Sequence, residues 1–463
     1  MGFHLTDFWF KLKKKANAIR GNAVADPTRQ GIGERATAEV AETASIKKRH
    51  ITAIVVGNTL EFYDFTTYAF FAVQIGRAFF PNESPFISLM LSLITFGAGF
   101  IMRPLGAIVI GRYADRKGRR PAMVLSFALM GIAILGLALT PSYAAIGLAA
   151  PALVVIWRLM QGFALGGESG PTMAYLIEAA PPEKRGAYGA WMYFSHGVAV
   201  IAAGVIGVAV GFLAGPEGLD QWGWRLAFLL GAAILPLGIV LRRNLPETLH
   251  SVEKVRSPTA VHAGKSSWPL LSVVLLGLAL IGAQATASYV MNYMQTYAST
   301  TLGLPGRYSL GATIAMGCSY LIGATLGGTL SDRFGRKALM IWPRLLLIVL
   351  AWPIFYLIVR NGDVPTLLAG VFTLGTLIFM SAAATIVCIT ESIRKEIRGT
   401  GAGTILAFGA AIFGATTQPM VAWITHASGN PLSPAFYLMA FGVMGLIASA
   451  LMKESAPRKM KTA

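Results

Sequence analysis

Apolar runs of twenty or more residues recur between residues 51 and 452, separated by short polar joints. A run of that length is what an α-helix needs to cross about 30 Å of hydrocarbon, where every backbone polar group must be satisfied within the segment. Strands of a membrane barrel alternate apolar and polar residues, and these runs do not. Twelve helical spans are predicted. The first six cover 51–75, 86–112, 121–141, 145–178, 187–214 and 222–242. The second six cover 269–297, 308–331, 337–359, 365–391, 399–426 and 433–452. Several exceed 25 residues and are expected to tilt or protrude. Only 13% of the chain is charged, roughly half the ~25% typical of a soluble domain. Cys318 and Cys388 fall inside apolar runs and read as small buried hydrophobes, so no disulfide framework is expected. No His/Cys cluster suggests a metal.

The net charge is +18. In a soluble protein that would raise nucleic-acid binding, but here it sorts by side. Of 39 basic residues, 32 fall in the tails and on the joints of one side. The other side holds Arg77, Arg307 and Arg360, and the spans hold Arg103, Arg158, Arg225 and Arg344. By the positive-inside rule both tails are cytoplasmic, which requires an even number of spans. Residues 1–50 hold no apolar run, so a cleavable signal peptide is not expected. Phe3–Arg20 reads either as a disordered basic tail or as an amphipathic helix on an anionic leaflet.

The chain repeats itself. Gly111 to Arg120 and Gly328 to Lys337 both read G-x-x-x-D-R-x-G-R-[RK]. Glu178 through Arg185-Gly186 and Glu391 through Arg398-Gly399 both read E-x6-R-G at nearly the same offset. A duplicated six-span unit follows: a basic tail (1–50), a first bundle (51–242), a cytoplasmic linker (243–268), a second bundle (269–452) and a short tail (453–463). Such a duplication places a binding site near the midplane between the halves.

The paired motifs resemble those of the major facilitator superfamily. Gly57-Asn58-x-Leu60-Glu61-Phe62-Tyr63-Asp64-Phe65, Met102-Arg103-Pro104-Leu105-Gly106, Arg158-x-x-Gln161-Gly162-Phe163 with Gly166-Gly167-Glu168, and Trp222-Gly223-Trp224-Arg225 narrow the resemblance. Together they are similar to the metabolite:proton symporters of that superfamily, which carry citrate, α-ketoglutarate, shikimate, dicarboxylates or proline and betaine. Phe96 to Pro104 and Ala411 to Gly414 look most like the citrate carriers. The resemblance implies an all-α membrane protein with twelve transmembrane helices in two pseudo-symmetric six-helix halves. It also implies a monomer in a bacterial inner membrane.

Charges inside a bilayer are costly and mark pathways. Glu61 and Asp64 sit three apart on one helical face, where repulsion between two carboxylates is relieved by a shared proton. Either is a proton-coupling candidate, as is Glu168; ion pairing with Arg103 or Arg158 is the structural alternative for the first two. Arg103 offers a fork for a substrate carboxylate or a counter-ion for Glu61 or Asp64. Arg158 and Glu168 are about 15 Å apart along a helix and cannot pair directly. Gly162, Gly166 and Gly167 read as packing glycines. Arg344 either snorkels to the surface or enters the cavity. Asn58, Gln161, His196, Tyr293 and Tyr297 complete the substrate-binding candidates, with Tyr289 and Gln295 as further polar liners. The loop motifs read as a cytoplasmic gate. Its residues are Gly111, Asp115, Arg116, Gly118, Arg119, Glu178 and Arg185 in the first half. In the second they are Asp332, Arg333, Gly335, Arg336, Glu391 and Arg398. Asp115–Arg119 and Glu178–Arg185 are the expected ion pairs.

A phosphate-cradling G-x-x-x-x-G-K-[ST] loop is absent from the sequence, which disfavours ATP drive. No nucleophile–base pair or cofactor fingerprint supports an enzyme. The expectation is alternating-access import of a small organic anion, citrate or another di- or tricarboxylate, coupled to protons. A betaine, proline or shikimate type of substrate is the alternative. No cofactor is expected besides the coupling proton, and no nucleic-acid partner.

Overall fold

The computed structural model describes residues 48–117, 119–167, 173, 176–177, 180–243, 270–305, 311–394 and 398–457. The tail ahead of Lys48, the linker and the last residues lie outside that description. The described residues from His50 onward belong to one contact unit.

Twelve spans follow in order. Span 1 is Lys48–Phe70 continued by Ala72–Phe79, and span 2 is Pro85–Ile101 continued by Arg103–Lys117. Span 3 is Arg119–Leu139. Span 4 includes Ala149–Gly166, span 5 is Arg185–Gly218 and span 6 is Trp224–Arg243. Spans 7 to 10 are Leu270–Thr300, Gly311–Phe334, Arg336–Asn361 and Val364–Ser392. Span 11 is Arg398–Gly409 and Ala415–Ser428 joined by a π-helical stretch, Ala410–Gly414, and span 12 is Ser433–Leu451. Nine of the helices among the described residues are long and apolar enough to cross a membrane, and Val124–Leu139 adds a shorter one. Bulky apolar side chains on outer faces, such as Leu148, Leu213, Leu271 and Trp342, remain exposed; in a bilayer they meet lipid rather than water.

Three spans predicted as continuous are interrupted. Span 1 breaks at Phe71, whose φ of −99° and ψ of 23° leave the helix. Span 2 restarts at Arg103-Pro104. Proline is tolerated there because a first-turn N–H has no helical partner to lose. Span 11 widens into its π stretch, a feature that concentrates at functional sites.

Packing repeats between halves. Span 4 lies on spans 2 and 3 as span 10 lies on spans 8 and 9, and the 3–6 contact is echoed by 9–12. The halves meet along two seams, span 5 on span 8 and span 2 on span 11. Both seams run backbone to backbone. A Cβ on Gly97 would sit 2.6 Å from the Ala415 carbonyl, and one on Gly317 2.8 Å from the Ile201 nitrogen. Within the first half, Gly162 faces the Gly99 carbonyl, Gly166 the Arg103 carbonyl and Gly167 the Ile110 side chain, so these glycines do the close packing expected of them. Arg225 explains another motif. It donates to the carbonyls of Ala138 (2.8 Å) and Thr140 (2.6 Å) at the end of span 3, satisfying acceptors that a helix leaves open.

Candidate functional site

The break in span 2 and the small residues of span 4 together bring two arginines to one narrow cavity. Asp64, Phe65, Gly99, Arg103, Met130, Arg158, Gln161, Gly162 and Leu165 line it. Because residues 99 and 162 carry no side chains, the two backbones touch and the guanidinium groups reach past them. Asp64 is only 2% exposed, and its Oδ1 accepts no hydrogen bond. Arg158 Nη1 donates to Gln161 Oε1 at 2.5 Å and Nη2 to the Phe96 carbonyl at 3.5 Å, while its Nε has no partner. No ion pair within 4 Å joins Asp64 to Arg158, so the structural alternative of Asp64 locked onto Arg158 is not what forms.

Aromatic rings hold both cations. The Arg158 guanidinium carbon lies 4.4 Å from the Tyr68 ring centroid and 5.1 Å from that of Phe96. Arg103 lies 4.1 Å from Phe100 and 5.0 Å from Phe65, and its charge acts on the Tyr289 side chain of span 7. Each such contact contributes up to about 2 kcal/mol when desolvated, which offsets part of the cost of a buried charge. Tyr289 itself packs edge-on against Phe65, Phe96 and Phe100. The first half thus supplies the charges, and the second closes over them.

Other predicted residues fall elsewhere. Asn58 Nδ2 donates to Ser195 Oγ (2.5 Å) and the Met192 carbonyl (3.3 Å), tying span 1 to span 5. His196 stacks on Phe62 with centroids 3.4 Å apart, and its Nε2 has no hydrogen-bond partner. It also faces Tyr193 and Tyr320, the latter stacked on Phe379. Tyr293 is buried in the second-half core, whereas the Tyr297 hydroxyl donates to the Pro431 carbonyl at 2.6 Å and staples the joint between spans 11 and 12. Arg344 does not snorkel. At 3% exposure its Nη1 donates to the Gly445 carbonyl (2.8 Å) and to Ser449 Oγ on span 12. Glu61 lies on span 1 with its side chain outside the description, and Glu168 lies outside the described residues.

At the basic end, charges bridge the halves. Asp332 of span 8 accepts the Gly186 N–H (2.8 Å) and the Ala187 N–H (2.9 Å), capping span 5 from across the seam. Arg336 donates to Asp332 at 2.6 Å and to Glu391 at 3.3 Å. Arg185 reaches Glu391 at 3.7 Å. The expected Glu178–Arg185 pair falls on Glu178, which lies outside the described residues. Gly335 sits at φ +102°, a backbone that favours glycine. Arg333 is exposed beside Phe334, and Arg398 Nε donates to the Ile393 carbonyl. Gly111 is helical with open space at its Cα. Asp115, Arg116 and Arg119 lie on helices with side chains outside the description, and Gly118 lies outside it altogether.

Sequence reading missed Glu454 and Ser455. Glu454 accepts the N–H groups of Arg336 (2.8 Å) and Lys337 (3.1 Å), and Ser455 donates to Glu391 at 2.7 Å. They follow the last span and belong to no repeat, so nothing short of the fold places them at the gate. It also missed Gln418, a buried amide on span 11; the signal was an uncharged polar residue within an apolar run.

Three comparisons bear on this arrangement. The Major Facilitator Superfamily profile matches residues 54–415. The chain is 36% identical over 403 residues to a citrate-proton symporter of Salmonella typhi, covering 87% of this chain and 93% of that protein. It is 31% identical over 432 residues to a proline/betaine transporter of Salmonella typhimurium, covering 90% and 85%. Among solved structures, the xylose transporter XylE of E. coli in a partially occluded inward open conformation aligns with a TM-score of 0.67 at 18% identity, over 88% of this chain and 97% of that one. That last likeness concerns the fold alone.

Proposed function

The chain belongs to the major facilitator superfamily, and from that premise we propose that it imports a small organic carboxylate, citrate or another di- or tricarboxylate first, together with protons. The observation that carries this reading is Asp64, buried beside Arg158 in a cavity that also holds Arg103. A proton on Asp64 removes an anion beside Arg158 and leaves that guanidinium ready for a substrate carboxylate. Proton and anion then bind together because each supplies what the other needs. Relatives that are citrate-proton symporters support both halves of the proposal. Moving positive charge inward gains about 2.3 kcal/mol per 100 mV of potential, so two or three protons carry a polyanion against an inside-negative membrane. Orientation follows the basic residues: both tails and the Asp332–Arg336–Glu391 cluster face the cytoplasm. No cofactor beyond the proton is required.

A second reading has its own support. Tyr193, Tyr320, Phe379, Phe62 and His196 form a ring cluster, and such rings attract quaternary ammonium groups; a proline/betaine transporter is among the relatives. Uptake into proteoliposomes under an imposed pH gradient separates the two. Protonophore-sensitive accumulation of citrate, succinate or α-ketoglutarate is expected. Accumulation of betaine alone would retain the coupling and reject the carboxylate, and accumulation of none of these would reject the proposal.

A further inference from the structure

Span 11 buries an amide that no described residue satisfies. Gln418 is 1% exposed, and neither Oε1 nor Nε2 has a hydrogen-bond partner. Leaving both functions of a buried amide unfilled is costly, and the hydroxyl of its chain neighbour Thr417 is already committed. Thr417 donates to the Phe413 carbonyl at 2.6 Å and meets Thr286 of span 7 at 3.4 Å.

Contacts along span 2 fix the depth of this amide. Gly97 abuts Ala415, and Phe86 stacks on His426 with centroids 3.8 Å apart, so spans 2 and 11 run antiparallel in steady register. Gln418 lies three residues beyond Ala415, about 4.5 Å along the axis. Arg158 reaches the Phe96 carbonyl from the other side of span 2. Amide and guanidinium therefore stand within about one helical turn of the same depth. One turn before Gln418, a Cβ on Gly414 would sit 2.8 Å from the Tyr289 ring, which packs edge-on against Phe100, itself 4.1 Å from the Arg103 guanidinium. When the 2–11 seam parts at the end away from the basic cluster, as alternating access between halves requires, Gln418 comes onto the wall of the opened pathway.

We propose that Gln418 is a specificity-determining contact that reads an α-hydroxycarboxylate, its Oε1 accepting from the substrate hydroxyl and its Nε2 donating to the adjacent carboxylate oxygen. A plain carboxylate fills only the donor and an ammonium group only the acceptor. A hydroxyl beside a carboxylate fills both. The assignment rests on the carboxylate reading above.

The test is calorimetric binding of citrate and of tricarballylate, its analogue without the hydroxyl, to the purified full chain. The native protein is expected to favour citrate by roughly tenfold or more, and Gln418→Leu to bring the two within about threefold while tricarballylate binding holds. Should the leucine variant fail to fold, Gln418→Met serves the same comparison. An unchanged citrate preference in the variant, or no preference in the native protein, overturns the assignment and leaves the carboxylate reading standing. Failure of the native protein to bind either acid overturns the assignment, and overturns the carboxylate reading as well when succinate and α-ketoglutarate also fail to bind.

Discussion

Asp64 and Arg158 face each other without a direct ion pair, each with an atom left to satisfy. If that gap is where proton and substrate enter, Asp64→Asn reduces gradient-driven accumulation to background while leaving substrate exchange across the membrane intact; counterflow of labelled substrate checks it. Loss of both activities would instead mark Asp64 as a structural residue. Arg158→Lys keeps the charge and loses the planar fork held between Tyr68 and Phe96. A KM rise of about tenfold is expected with the pH dependence of uptake unchanged. Polarity within apolar runs made these residues legible in the sequence, since a charge in hydrocarbon seldom lacks a purpose. The orientation of Arg344 was not legible: seven residues past Lys337, it suited surface or cavity equally, and packing against span 12 decided it. Gln418 escaped notice because an uncharged amide costs too little to stand out by type alone.

Helices are placed by their glycines. A Cβ on Gly162 would collide with the Gly99 carbonyl, and backbone cannot step aside as a side-chain tip can. Gly162→Ala is expected to cost about 1–3 kcal/mol, read as a lower thermal unfolding midpoint, and to widen the gap between spans 2 and 4 that positions Arg158. Span 10 begins with a cap: Asp363 accepts the Thr366 N–H at 2.8 Å. Hydrogen bonding from the Thr366 side chain and backbone holds the Asp363 carboxyl below its ordinary range. The folded value is the lower one, so this contribution is present above the ordinary carboxylate range and lost as pH falls through the folded value. Faster amide exchange at Leu367 and Leu368 in Asp363→Ala, at neutral pH only, is the expected sign. Hydropathy located all twelve spans, yet it missed the breaks at Phe71 and Met102 and the π stretch at Ala410–Gly414. Hydropathy averages over a window, whereas a break depends on one or two residues and what packs beside them.

Across the whole molecule, the repeat was the strongest signal. It predicted two halves, and the duplicated E-x6-R-G pointed to Arg185 and Glu391. What it could not tell was the pairing, because a repeat relates positions within each half and Arg185–Glu391 crosses between them. Arg336 has a fully buried side chain and Glu391 one that is 4% exposed, and removing one partner of a buried pair costs about 3–5 kcal/mol. Glu391→Gln is expected to shift the population toward the state open at the basic end. Single cysteines placed along the 5–8 seam would report it as faster labelling from that side; unchanged labelling would remove the cluster from the gate.

The cap that Asp332 places on span 5 has one more consequence. A helix start in one half is completed by a carboxylate from the other, so the halves cannot separate there without exposing the Gly186 and Ala187 N–H groups. Water must take over those bonds, which makes hydration part of each opening stroke. Solutes excluded from protein surfaces, such as sucrose or trimethylamine oxide, favour the drier arrangement, and turnover should slow as they are added even with substrate and proton gradient held constant. The transporter would then respond to the osmotic state of its surroundings through the same joint that gates it.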